Sequence, residues 1–78
     1  MTFNRSAVGK AIKAVRTEKG LSQEVLSGLA DIGRAHLSMI ETGRKTASLE
    51  TIWKLAGAFN MNPSELIQRI ERNEGAEE

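Results

Sequence analysis

Apolar residues recur along this chain at steps of three and four, the period of a helix with one buried side. Val8, Ile12 and Val15 share one face of a first predicted helix, and Gly20 stands where a residue without a Cβ can turn left-handed and end it. Ser22 offers an N-cap oxygen to a short second helix that begins near Gln23 and turns Leu26 and Ala30 inward. Asp31-Ile32-Gly33 reads as a turn. A third helix follows from Arg34 to Thr42, buries Leu37 and Ile40, and stops at Gly43. Ser48 caps a fourth, with Glu50 near the positive end of its dipole and a stripe of Leu49, Ile52, Leu55, Ala56 and Phe59. Asn62-Pro63-Ser64-Glu65 opens a fifth: Asn62 caps, Pro63 fits the first helical position, and Glu65 reaches back to complete a capping box. Leu66, Ile67 and Ile70 follow. No stretch alternates with period two, so the expected architecture is all-α: a compact five-helix domain over residues 1–72, with an acidic, disordered tail over residues 73–78.

Composition narrows the function. Seventy-eight residues hold one core, and the absence of cysteine excludes disulfides, thiolate metal sites and thiol nucleophiles. One histidine, His36, gives neither a two-histidine metal site nor a histidine relay, and no glycine-rich phosphate loop follows a strand. The expectation is a non-enzymatic binding protein without cofactor or metal. No run of 18 apolar residues and no apolar leader stretch occurs, which places the expected location in the cytoplasm. The net charge of +1 conceals an asymmetry: residues 1–45 carry eight Lys/Arg against four acids, residues 46–78 three against six. A basic front and an acidic rear orient a molecule towards a polyanion.

The span Ser22 to Gly43 reads SQEVLSGLADIGRAHLSMIETG. Two helices that cross closely need small residues at the crossing, supplied by Ser27 and Ala30, and a sharp turn of about three residues between them. Leu26, Ile32, Leu37 and Ile40 then set their angle, leaving the other face of the second helix free. The chain from Val8 to Ile67 resembles the Cro/repressor-type (XRE-type) helix-turn-helix family, including small phage repressors and restriction–modification controller proteins. The resemblance rests on Arg16 with Lys19-Gly20-Leu21-Ser22-Gln23, Leu37-Ser38-Met39-Ile40-Glu41-Thr42-Gly43, Ser48-Leu49-Glu50-Thr51 and Asn62-Pro63-Ser64-Glu65-Leu66, in that order.

That resemblance implies a lambda-repressor-like domain that reads double-stranded DNA with its third helix in the major groove. Arg34, Ala35 and His36 match the base-reading first turn, with Met39 one turn later on the same face. A guanidinium at Arg34 can donate two bonds to guanine, and a cation in a first turn opposes the helix dipole, which favours a ligand-facing role. Ser22, Gln23, Thr42, Arg44 and Lys45 match positions that hold phosphates, and Arg16 and Glu41 match a structural ion pair between the first and third helices. Two positions depart from the family pattern: Asp31 stands for the usual turn glycine and Gly33 for the usual Ser/Thr cap.

One module makes few base contacts, so the expected regulator is a homodimer on a palindromic operator, with half-sites about 34 Å apart. Its expected interface uses Trp53, Phe59, Met61, Ile67 and Ile70. Two other readings stay open. One is the DNA-binding antitoxin of a toxin–antitoxin pair; the other is a helical protein-interaction module without DNA binding. Val25 and Leu29, an apolar pair on the outward side of the second helix, are the candidate contacts for a protein partner.

Overall fold

Five helices account for the chain in a computed structural model that describes residues 3–76: α1 (Arg5–Glu18), α2 (Gln23–Ala30), α3 (Arg34–Glu41), α4 (Leu49–Ala58) and α5 (Pro63–Ala76). No helix among the described residues is long and apolar enough to cross a membrane. The caps sit where polar residues were expected. Ser22 Oγ accepts from the Val25 N–H at 3.1 Å and Ser48 Oγ from the Thr51 N–H at 3.1 Å. The Glu65 carboxylate accepts from the Asn62 N–H at 3.0 Å, the return half of the capping box. Asn4 adds a start that the apolar pattern does not announce, its Oδ1 accepting from the N–H groups of Ser6 and Ala7.

The first four helices end in the same way. Gly20, Asp31, Gly43 and Asn60 all adopt positive φ, between 55° and 79°. Each donates its N–H to a carbonyl three residues back, and the next residue donates to one five residues back, as in Leu21 to Arg16 and Arg44 to Met39. Three of those next residues, Leu21, Ile32 and Met61, then fold onto the core. The chain thus reverses four times with few connecting residues, and the orphan carbonyls are satisfied at each reversal.

Every helix contributes to one core: Val8, Ile12 and Val15 from α1, Leu26 and Ala30 from α2, Leu37 and Ile40 from α3, Ile52, Leu55 and Ala56 from α4 and Leu66 from α5, with Phe59 at the α4 terminus. Truncating a fully buried leucine such as Leu37 to alanine costs about 2–5 kcal/mol, a large part of a small domain's stability. α1 meets α3 at a point of close backbone approach. A Cβ on Gly9 would lie 2.3 Å from the Ile40 carbonyl oxygen and 2.6 Å from that of Glu41. Only glycine lets the helices come so near.

Three expectations change. Phe59 is 1% exposed, so it is a core residue and has no surface to give to a dimer interface. Leu49, at the edge of the α4 stripe, is 65% exposed because the stripe is wider than the groove that receives it. α5 continues to Ala76, four residues into the segment expected as a tail; a helix once formed extends by one backbone hydrogen bond per residue. Glu77 and Glu78 lie outside the described residues.

Candidate nucleic-acid interface

α3 has only eight residues, and its buried side is fully used by Leu37, Ile40 and Glu41. The opposite side is bare: Arg34, Ala35, His36 and Met39 are all exposed. Gly33 provides no side-chain cap, so the N–H groups of the first turn face outward with the positive end of the dipole. At the other end the chain turns through Gly43 and delivers Arg44 and Lys45, both exposed. Among the described residues, no ion pair neutralises Arg34, Arg44 or Lys45. The arrangement is a two-turn helix with donors and an apolar methyl at one end and two uncompensated cations beyond the other. Its chemistry suits a polyanion that also displays hydrogen-bonding edges.

The pair expected from sequence ties the C-terminal end of α3 to α1. Arg16 Nε donates to Glu41 Oε2 at 2.7 Å and Nη2 to Oε1 at 3.0 Å, with side chains 11% and 3% exposed. Arg16 Nη1 also donates to the Leu21 carbonyl at 2.9 Å, beyond the end of α1. The hydrogen bond to Glu41, opposed by burial, raises the Arg16 guanidinium above its ordinary pKa. A carboxylate at the C-terminal end of a helix meets the negative end of the dipole, and the guanidinium compensates for that.

The five expected phosphate contacts differ in what they have free. Ser22 uses an oxygen lone pair for its cap and keeps its O–H to donate. Gln23 donates one amide hydrogen, through Nε2, to Glu41 Oε1 at 3.0 Å, and so joins the ion pair as a third member. Thr42 spends its single hydroxyl hydrogen on α3 carbonyls, those of Ser38 at 3.0 Å and Met39 at 3.3 Å, and offers an anion nothing until that rotor turns. Arg44 and Lys45 are unencumbered.

The structure brings Arg16, Gln23 and Glu41 together and gathers Arg34, Ala35, His36 and Met39 on one face. It keeps Trp53, Met61, Ile67 and Ile70 apart from that face, on α4, at its end and on α5. Trp53 and Ile67 are exposed, while Met61 and Ile70 pack partly against the core. Beside them runs an apolar groove of about 210 Å³ lined by Phe3, Val8, Ala47, Leu49, Ile52, Ile67 and Ile70. Phe3 and Leu49 were missed as surface apolar residues; the i to i+4 step from Leu49 to Trp53 was the available signal. Val25 and Leu29 are exposed on α2, as expected. The ion pair between Arg69 on α5 and Glu18 at the end of α1 was also missed, since 51 residues separate the partners in sequence.

Comparison with known proteins identifies the family of the fold. Residues 12–66 match the family described as helix-turn-helix. The immunity repressor protein of Bacillus phage phi105 is 38% identical over 60 residues, 77% of this chain; the chain spans 42% of that relative's length. The control protein C.BamHI of Bacillus amyloliquefaciens is 35% identical over 69 residues, 86% of this chain and 85% of the relative. Among solved structures, the restriction-modification controller protein C.AhdI from Aeromonas hydrophila superposes with a TM-score of 0.76 at 39% identity, covering 80% of this chain and 94% of its own. With the matched family spanning most of its length, and α2, the Asp31 turn and α3 forming the motif itself, the chain belongs to the helix-turn-helix family.

Proposed function

We propose that this chain is a sequence-specific double-stranded DNA-binding transcriptional regulator that acts as a homodimer on a palindromic operator. The observation that carries the reading is the division of α3: Leu37, Ile40 and Glu41 are buried, while Arg34, Ala35, His36 and Met39 stand exposed beside uncompensated cations. Its relatives include a phage immunity repressor and restriction–modification control proteins, and regulation of transcription is the element carried over from them.

In this reading α3 lies in the major groove. Arg34 donates to guanine O6 and N7, Ala35 meets a thymine methyl, His36 donates to a base edge or phosphate, and Met39 packs against the groove wall. Ser22 and Gln23 approach the backbone from the start of α2, and Arg44 and Lys45 from beyond α3. Thr42 joins them only if its hydroxyl rotates away from the Ser38 carbonyl. Two copies meet through Trp53, Met61, Ile67 and Ile70, with Phe3 and Leu49 added and Phe59 withdrawn into each core. The site of action is the nucleoid in the cytoplasm, and the chemistry is binding, with no catalytic step.

Selection from a random duplex pool at about 150 mM salt tests this. Enrichment of a spaced palindrome is the expected result. Strongly salt-dependent binding without enrichment would reduce the site to phosphate contact, and no binding at low salt would leave the protein-interaction reading, with Val25 and Leu29 as its surface.

A further inference from the structure

The carboxylate of Glu41 accepts more than the ion pair requires. It takes two hydrogen bonds from Arg16 and a third from Gln23 Nε2 at 3.0 Å, so one buried group joins α1, α2 and α3. The third bond has a consequence for Gln23 that the first two lack. A primary amide can turn over, exchanging its oxygen for its nitrogen, and a hydroxyl, a water or a second amide tolerates either face. An ionised carboxylate is an acceptor only, so the nitrogen of Gln23 must face it. The Glu41 side chain is itself 3% exposed and held by the Arg16 fork, which leaves the amide no alternative orientation of its partner to follow. One hydrogen of Nε2 is thereby committed inward, and the other is directed away from the carboxylate at the half-exposed first residue of α2.

We infer that Glu41 is a positioning residue for DNA binding: it fixes the Gln23 amide with its free N–H outward, so that a phosphate meets a donor and never the carbonyl. This rests on the DNA-binding reading above and extends it, because an ion pair alone would make Glu41 a structural residue with no effect on how Gln23 meets an anion. An unfixed amide would present its oxygen to the phosphate for part of the time and lose rotational freedom on binding. Fixing it beforehand removes both costs.

The test is a double-mutant cycle on the enriched operator duplex, read as Kd at fixed salt and at a temperature where melting curves show each variant folded. Wild-type binding is read first; its absence would overturn the DNA-binding reading and the inference with it. Glu41→Gln offers Gln23 an N–H as well as a carbonyl, and so lifts the acceptor-only constraint. Gln23→Ala should weaken binding about 10-fold, the worth of one bond to a charged group. Glu41→Gln should weaken it by a comparable factor, and the double variant should be no weaker than the weaker single one. Losses that multiply, or an unchanged Kd for Gln23→Ala, would overturn the inference. If Glu41→Gln does not fold, the side-chain amide resonances of Gln23 in the native protein decide. One proton, held by Glu41, should stay in place as operator duplex is added while the other shifts. Movement of both or of neither would overturn the proposal.

Discussion

Replacing glycine by alanine should have opposite effects at three positions of this protein, and Gly9 is the informative one. In a helix interior the exchange stabilises by up to about 1 kcal/mol, because alanine loses less backbone entropy on folding. At Gly28 and Gly57 an added Cβ meets nothing within 4 Å, so that gain should appear. At Gly9 the added carbon would lie 2.3 Å from the Ile40 carbonyl oxygen, 2.6 Å from the Glu41 oxygen and 2.8 Å from the Glu41 carbonyl carbon. These are backbone atoms and cannot turn aside. To reach the 3.0 Å that side-chain carbons essentially never undercut, α1 and α3 must part by at least about 0.7 Å. Overpacking of this kind costs about 1–3 kcal/mol, and more where rigid backbone is the neighbour. The same movement pulls Arg16 away from a 2.7 Å bond to Glu41. With the cost at the upper end of that range and the helical gain subtracted, a net loss of about 2 kcal/mol remains. For a domain of this size that lowers Tm by about 8–16 °C, while each of the other two variants raises it by up to about 4–8 °C. Circular dichroism melts of the three single variants read this directly. A Gly9→Ala protein melting at or above the wild type would refute the close approach of α1 and α3.

Three further outcomes can be measured. Arg16→Ala and Glu41→Ala should each destabilise by about 3–5 kcal/mol in chemical denaturation, because either change leaves a buried charge without its partner. Arg34→Ala should relax the operator preference at one base position by about 1–3 kcal/mol, whereas Lys45→Ala should weaken binding to all sequences alike and reduce the salt slope by about one. The hydrogen bond from Arg69 holds the Glu18 carboxyl below its ordinary value of 4.5. A depressed carboxyl stabilises the fold above its unfolded pKa, and that contribution disappears as pH falls through the lower folded value. Arg69→Gln should therefore flatten the loss of Tm below pH 4.5, most visibly at low salt because the pair is exposed.

What the sequence reveals here is what local chemistry determines. Ser22, Ser48 and the Asn62 to Glu65 segment mark helix starts because each satisfies donors within three residues of itself. Gly20 and Gly43 mark ends because a left-handed residue favours the absence of a Cβ. Asn60 closes α4 with the same geometry but is less legible, since asparagine serves many other purposes. Gly9, Gly28 and Gly57 look alike as letters; their difference depends on two carbonyls, of Ile40 and Glu41, more than thirty residues away from Gly9. Phe59 and Leu49 fall on one periodic stripe, and periodicity alone does not say how wide a groove the stripe enters. The bond from Gln23 to Glu41 depends on both helices being in place, so a motif could suggest each residue separately but not their partnership.

The shortness of α3 makes its anchoring a matter of function as well as stability. Eight residues span about 12 Å, so a displacement of 0.7 Å at the Glu41 end, with the Arg34 end held, tilts the helix by about 3°. Base readout depends on geometry held within about 0.5 Å, and the displacement grows along α3 to reach about that size at Met39, although no exposed side chain is itself replaced. Stability and readout should therefore separate in a combined variant. Gly28→Ala and Gly57→Ala add their stabilisation at sites remote from the α1–α3 contact and should restore part of the Tm lost in Gly9→Ala. They do nothing to return α3 to its angle. The triple variant should melt above Gly9→Ala yet keep the same reduced ratio of operator to random-duplex affinity. Recovery of that ratio in step with Tm would mean that the readout follows overall stability and that the tilt of α3 has no separate role.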